Sequence, residues 1–249
     1  MSTCIVIPFY NEAERLGDCS YLEKLELIKG VDFIYVDDGS IDNTYNILIK
    51  KFPTKKIISY KENKGKGGAV REGLLYSISN GYDVVGFLDS DGAFSLGDVG
   101  EISLSAERLF NENPNLGMII GSRASTSKNK IKRSVPRLII SKAIKRVIKW
   151  STRKLTNHSY DTQSGFKLMR ASEQLNDFLE KDFQTKWFFD IEIMIGMGYF
   201  GNIKEISLST WRDVRKSHLG VGSIKSVYRE LLIISSIANK SITLNDHHI

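Results

Sequence analysis

The chain has 249 residues, 41% of them hydrophobic and 26% charged, with a formal net charge of +6, which suits one large α/β domain and excludes a disordered polymer. Its two cysteines, Cys4 and Cys19, cannot build a disulfide framework and lack metal-ligand spacing, so a reducing, cytosolic setting is expected. The start Met1-Ser2-Thr3-Cys4 has no basic n-region, and no stretch approaches the roughly 18 apolar residues needed to span a bilayer, so neither a signal peptide nor a membrane span is expected.

Cys4–Ile7 is a β-branched run ended by Pro8, the first strand of a buried sheet, and Pro8-Phe9-Tyr10-Asn11-Glu12 leads into a helical stretch. Phe33–Val36 is a second strand, closed by Asp37-Asp38-Gly39-Ser40. A helix follows near residues 43–50, and Lys56–Tyr60 makes a third strand. Gly65, Gly67 and Gly68 precede a helix whose apolar positions Val70, Leu74 and Ile78 recur near period 3.6. Val84–Leu88 is a fourth strand, running straight into Asp89-Ser90-Asp91-Gly92. Beyond it, Met118–Arg123 reads as strand and turn, Phe166–Met169 as a strand and Phe188–Met197 as a buried helix. Ile203–Leu208 reads as a late strand and Lys225–Asn239 as an amphipathic helix. Strands alternating with helices imply right-handed βαβ units and a mainly parallel sheet flanked by helices, with ligands outside the carboxyl ends of the strands. The acidic clusters at 37–38 and 89–91 fall at those ends.

Two carboxylates one residue apart at a strand end, Asp89 and Asp91, suit a hard divalent cation such as Mg²⁺ or Mn²⁺. Alone, D-x-D also marks many surface turns; the preceding strand and the other strand-end acids favour the metal. Asp37-Asp38 fits either a helix cap or a carboxylate that accepts from a base N–H or a ribose hydroxyl. The Gly-rich 64–73 segment either turns the chain or lets backbone N–H groups approach phosphate, with Lys66 and Arg71 nearby.

In order and spacing, Val6-Ile7-Pro8-Phe9-Tyr10-Asn11-Glu12, Val36-Asp37-Asp38-Gly39-Ser40, Asn63 to Arg71 and Leu88-Asp89-Ser90-Asp91-Gly92 resemble glycosyltransferase family 2. Ile120-Gly121-Ser122-Arg123, Asp161-Thr162-Gln163-Ser164-Gly165-Phe166-Lys167, Trp187 to Glu192 and Trp211 resemble one branch, the dolichyl-phosphate (polyprenyl-phosphate) β-glucosyltransferases. The resemblance implies a GT-A type nucleotide-sugar-binding fold of the α/β class and inversion at the anomeric carbon. The implied donor is a nucleoside-diphosphate sugar, UDP-linked or GDP-linked. It implies that Pro8, Tyr10, Glu12, Asp37 and Asp38 hold the nucleoside. Lys66, Gly67, Asp89 and Ser90 would line the diphosphate, and Asp89 and Asp91 the metal. Arg123, with Arg133 or Arg137, would face phosphate. Asp190 is the candidate catalytic base and Asp161 the second candidate; a helix N-terminal carboxylate capping its own turn is the plain alternative for Asp190. The branch reads Gly-Ser-Lys after the Trp211 position where this chain has Lys216-Ser217-His218, which touches the acceptor side.

From Asn113 to Tyr160 there are 12 Lys and Arg and no acidic residue, leaving the rest of the chain net −6. Ile139, Ile140, Ala143, Val147 and Ile148 share one helical stripe beside Lys142, Lys145, Arg146, Lys149 and Arg153. Such a helix either packs on the domain or lies on an anionic membrane surface; nucleic acid is not expected, since Trp150 is the segment's lone tryptophan. Trp150, Trp187 and Trp211 are expected to pack, and the four histidines show no ligand spacing. The expectation is one domain over 1–249, with a nucleotide half at 1–125 and an acceptor half at 126–249. Its function would be hexose transfer, glucose from a UDP-sugar, to a polyprenyl phosphate at the cytosolic membrane face. A soluble transferase acting on a hydroxyl, and a non-catalytic nucleotide-binding module, stay open as alternatives.

Overall fold

The computed structural model describes residues 2–17, 20–124, 130–132, 146–153, 155–156, 158, 160–212 and 224–246. In chain order the elements are β1 (Thr3–Phe9), α1 (Ser20–Leu25), β2 (Val31–Asp38), α2 (Thr44–Lys51), β3 (Ile57–Tyr60), α3 (Gly65–Ser79), β4 (Val84–Leu88) and α4 (Leu96–Glu112). There follow β5 (Met118–Ser122), β6 (Lys130–Lys132), α5 (residues 146–151), β7 (Phe166–Arg170), α6 (Glu173–Leu179), α7 (Phe189–Gly196), β8 (Ile203–Ser207), β9 (Thr210–Arg212) and α8 (Ile224–Asp246).

Seven strands form one sheet in the order 3-2-1-4-7-5-8. β1 to β4 pair in parallel, as do β5 and β8. The mainly parallel α/β sheet is as expected, but β7 runs antiparallel to both β4 and β5. The reason is where the chain arrives: Gly165 sits at the carboxyl end of β4, its carbonyl accepting from the Asp89 N–H, so the strand that follows must run back. β6 and β9 pair in a small second sheet, and Trp211 of β9 bridges to Phe94.

Strand residues alternate between two cores. Ile5, Ile7, Phe9, Phe33, Tyr35 and Leu88 face α1, α2 and α4, whereas Val6, Ile34, Val36 and Phe87 face α3, α6 and α7. Because both faces are covered, the strands read as continuous apolar runs, without polar alternation. β1 continues through Pro8 to Phe9; proline is tolerated there because β1 pairs with β4 only as far as Val6 opposite Phe87. Two helices escaped the sequence pattern, α4 and α6. Both open on a serine cap: Ser95 Oγ accepts from the Asp98 N–H at 3.0 Å, and Ser172 Oγ from the Leu175 N–H at 3.1 Å. A third cluster joins Ile148 of α5 to Ile191 and Ile195 of α7 and to Leu231, Ile234 and Ala238 of α8.

Helix α3 lies close on the sheet at Gly73, where a Cβ would stand 2.4 Å from Val6 Cγ1 and 3.1 Å from Val36 Cγ2. Gly73→Ala gains up to about 1 kcal/mol in helix propensity but overpacks this contact, which costs about 1–3 kcal/mol. We expect the variant to unfold at lower urea than the parent; an unchanged or raised midpoint would show that the helix can lift off the sheet freely.

Candidate active site

The site begins where β1 and β2 end. Asn11 is the single non-glycine with positive φ among the described residues, at 52°, a conformation asparagine tolerates better than most. Its side chain explains the strain: Asn11 Oδ1 accepts from the Ile41 N–H at 2.9 Å, and its own N–H donates to Ser40 Oγ at 3.0 Å. The next amides continue the lacing, Glu12 N–H to Thr44 Oγ1 and Ala13 N–H to Asp42 Oδ2. Pro8 is buried within β1, and Tyr10 stands at the rim, 44% exposed.

Parallel register sets Asp37 opposite Ser59 and Asp38 opposite Tyr60. Ser59 Oγ donates to Asp37 Oδ2 at 2.9 Å, while Asp37 Oδ1 is buried with no hydrogen-bond partner. Asp38 Oδ1 accepts from Tyr60 OH and from the Lys64 N–H, both at 2.8 Å; burial pushes its pKa up against these bonds. Turn formation before α2 falls instead to Asp42, whose Oδ1 accepts from the Thr44 N–H and hydroxyl.

At the end of β4, Lys66 Nζ donates to Asp89 Oδ1 at 2.5 Å. Burial disfavours the lysine's charge, but Asp89, Asp190 and Asp91 together raise its pKa, so all three carboxylates bear on one ammonium. Asp91 accepts from the Ala93 N–H at 3.0 Å; burial, and then the charge of Asp89, raise its pKa. Glu12 is pushed up to about 7, by burial first, with Asp91 adding to it and Arg15, 3.1 Å away, opposing it. Glu12, Arg15, Tyr21, Ser90 and Asp91 line a pocket of about 80 Å³. A divalent cation at Asp89 and Asp91 would relieve the repulsion that, after burial, raises the pKa of Asp91, although among the described residues no three such side chains cluster as a ready ligand set. Asp89 owes its position to Gly165: a Cβ there would lie 2.0 Å from Asp89 Oδ2.

Several sequence expectations are redirected. Asp161 is not an accessible base: Arg123 Nε and Nη2 donate to its two oxygens at 2.9 and 3.0 Å, and the Arg123 N–H adds a third bond. Arg123 is correspondingly clamped to Asp161, over the Trp211 ring at 5.4 Å, rather than turned toward a phosphate. The Gly67 N–H donates to the Lys186 carbonyl at 3.2 Å, and a Cβ at 67 would lie 2.9 Å from Phe189 Cβ, so this glycine serves helix packing. Arg71 donates to the carbonyls of Glu180 and Lys181. Asp190 is buried at the start of α7, with Oδ1 accepting from the Ile191 N–H and Oδ2 from Lys167 Nζ at 2.6 Å. Ile148 packs inward while Trp150 is 61% exposed, its ring 4.5 Å from the Arg153 guanidinium, so Trp150 is not the packing residue expected. Arg133, Arg137, Lys142, Lys145, the 139–143 stripe and Lys216-Ser217-His218 lie outside the described residues. Lys167 stands in the sequence only as part of a motif, and nothing there points to Glu230, which accepts from the Lys186 and Trp187 N–H groups that lead into α7. An acidic residue within an amphipathic helix gave no signal of that.

The model of glycosyl transferase family 2 matches residues 4–170. The dolichyl-phosphate beta-glucosyltransferase of Saccharomyces cerevisiae is 32% identical over 253 residues, covering 92% of this chain and 73% of the yeast protein. The human protein of the same name is 30% identical over 230 residues, covering 86% of this chain and 68% of its own length. Among solved structures, glucosyl-3-phosphoglycerate synthase from Mycobacterium tuberculosis, in complex with Mn²⁺, UDP-glucose and phosphoglyceric acid, superposes with a TM-score of 0.66 at 17% identity. The match covers 96% of this chain and 80% of that one, a likeness of fold that makes the architecture GT-A type.

Glu12 yields a pH prediction. Its folded pKa of about 7 lies above the ordinary 4.5, so the folded state gains from Glu12 most fully below pH 4.5 and loses that gain as pH rises through about 7. In chelator-treated protein, Glu12→Gln should therefore melt above wild type near pH 8 and lose most of that lead near pH 5. A lead equal at both values would mean that Glu12 ionises like a surface carboxylate.

Proposed function

The chain belongs to glycosyltransferase family 2, and on that footing we propose that it moves glucose from UDP-glucose to a polyprenyl phosphate of the dolichyl type, with inversion. Support comes from relatives so named at about a third identity over most of the chain. The observation that carries the acceptor assignment is the state of Asp190: both of its oxygens already accept hydrogen bonds, one from a buried ammonium. A sugar hydroxyl needs a positioned base to take its proton, whereas a phosphate monoester arrives ionised. An acceptor phosphate oxygen attacks the anomeric carbon from the face opposite the diphosphate, the bond to UDP breaks with its electron pair leaving on UDP, and no side chain must accept a proton.

In this reading Tyr10 stacks on the base, and Pro8, Glu12, Asp37 and Asp38 address the nucleoside. Lys66 sits beside Asp89 to meet the diphosphate, with Ser90 between the two carboxylates. When bound at Asp89 and Asp91, Mg²⁺ or Mn²⁺ would offset the charge on the leaving diphosphate. One or both of Arg133 and Arg137 are assigned to phosphate, and an acceptor half at 126–249 completes a single domain with the nucleotide half at 1–125. We place the protein at the cytosolic face of a membrane, held peripherally. Arg146, Lys149 and Arg153 beside exposed Trp150 suit an anionic surface.

Asp89→Asn or Asp91→Asn should abolish transfer while the melting curve stays native; near-normal rates in a folded variant would remove the metal assignment. Stabilisation on heating should be greater with UDP-glucose than with GDP- or CDP-sugars, and greater with Mn²⁺ than without. Asp190→Asn decides the acceptor. With polyprenyl phosphate it should lower kcat by less than about 10²-fold and leave donor binding alone, whereas a hydroxyl acceptor would lose about 10²–10⁴-fold. Arg146→Gln with Lys149→Gln should weaken sedimentation with anionic vesicles, as should added salt; binding indifferent to both would leave α5 as ordinary packing.

A further inference from the structure

Lys167 is fully buried, 0% exposed, in β7. Its ammonium donates to the carbonyls of Thr162 and Ser164, at 2.9 and 2.5 Å, and to Asp190 Oδ2 at 2.6 Å. An ammonium has three protons, so every donor is used, and the lysine lies 5.3 Å from the Phe87 ring centroid besides. A lysine is among the residues least often buried, and one apolar side chain would fill this space without desolvating a charge. Burial accordingly lowers the pKa of Lys167, with Asp190 the main force opposing that shift. The cleft chemistry above gives this charge no direct task, since it reaches no solvent.

What it does reach are two of the segments that frame the cleft. The carbonyls belong to the turn that ends at Gly165, whose own carbonyl accepts from the Asp89 N–H at 2.9 Å. The carboxylate belongs to the first turn of α7, whose Phe189 packs against Gly67 beside Lys66. Asp190 in turn acts on the ammonium of Lys66, which is bonded to Asp89. One buried cation therefore fixes the acceptor-side carboxylate against the turn that seats the donor-side carboxylate.

We propose that Lys167 is a positioning residue for sugar transfer, acting through Asp190 to hold the acceptor side of the cleft in register with Asp89. This rests on the proposed function, with Asp190 taken as the carboxylate on the acceptor side. It accounts for a buried lysine where packing alone asks for none, and it predicts that Lys167 and Asp190 behave as one unit. Residues that work through each other show non-additive losses.

The test is a double-mutant cycle of Lys167→Met, Asp190→Asn and the pair, followed as UDP release from UDP-glucose with and without polyprenyl phosphate. Lys167→Met should lower kcat about tenfold or more, since a misplacement near 1 Å at a reacting group costs up to about 10²-fold. Its donor affinity should stay within about threefold of wild type, and the pair should be no slower than the slower single variant. Additive losses, or a Lys167→Met enzyme with native kcat, overturn the proposal. Lys167→Met strands a buried carboxylate and is the variant most exposed to misfolding. Should it fail to fold, the pair, which buries no charge here, is compared with Asp190→Asn alone: equal rates support the proposal and a further loss overturns it. In wild type, a lysine Nζ resonance protected from solvent exchange must be present, and its absence also overturns the proposal. If wild type releases UDP without any response to polyprenyl phosphate, the acceptor assignment falls, and the cycle is then read on donor hydrolysis.

Discussion

Asp89 can stand at the mouth of the cleft only because residue 165 has no side chain. A Cβ there would lie 2.0 Å from Asp89 Oδ2, because the antiparallel β7 starts one residue later, opposite Leu88, and leaves no room between strand end and turn. Two residues back along β4, Gly86 meets the same strand as closely, with a Cβ there 2.2 Å from the Lys167 carbonyl. The donor-side carboxylate, the buried lysine and, through it, Asp190 are thus placed by one strand pairing. A shift in that register would move all three together.

The cleft is charged before any ligand enters. Asp89, Asp91, Glu12 and Asp190 gather near Lys66 and Arg15, and burial raises the pKa of Glu12 and Asp91. Repulsion of this kind is a standing cost to the fold, and binding a cation converts it to attraction. The Lys66–Asp89 pair holds part of that charge in check meanwhile. Glu12 is braced by Arg15 on one side and feels the charge of Asp91 on the other, so the loop after β1 and the carboxylates after β4 share one electrostatic environment.

The sheet was legible in the sequence because its strands are buried on both faces and end on acids, as at Asp37-Asp38 and Asp89-Ser90-Asp91. Helix α4 was not, although Ser95 and Asp98 form a capping pair, because its apolar residues are diluted by Gly97, Gly100 and Glu101. The direction of β7 was also hidden: Phe166–Met169 has the composition of any buried strand, and only the turn bonded to Asp89 reverses it. For the site, the sequence displays residue types but not their partners. Asp161 looks like a free acid until Arg123, 38 residues away, closes on it. Gly67 looks like a phosphate loop until Phe189 is packed beside it, and no local pattern announces either contact.

The strand order carries a consequence for how the molecule is made. β1 to β4 are complete once Leu88 has left the ribosome, and all four can pair with one another. The outer edge of β4, however, has no partner until Phe166–Arg170 has been synthesised, and β5 waits for the same segment. For the length of chain between them, an apolar strand presents open amides and carbonyls, the template for pairing with a neighbouring nascent chain. Slower synthesis across residues 89–165 would lengthen the interval in which that edge stands open.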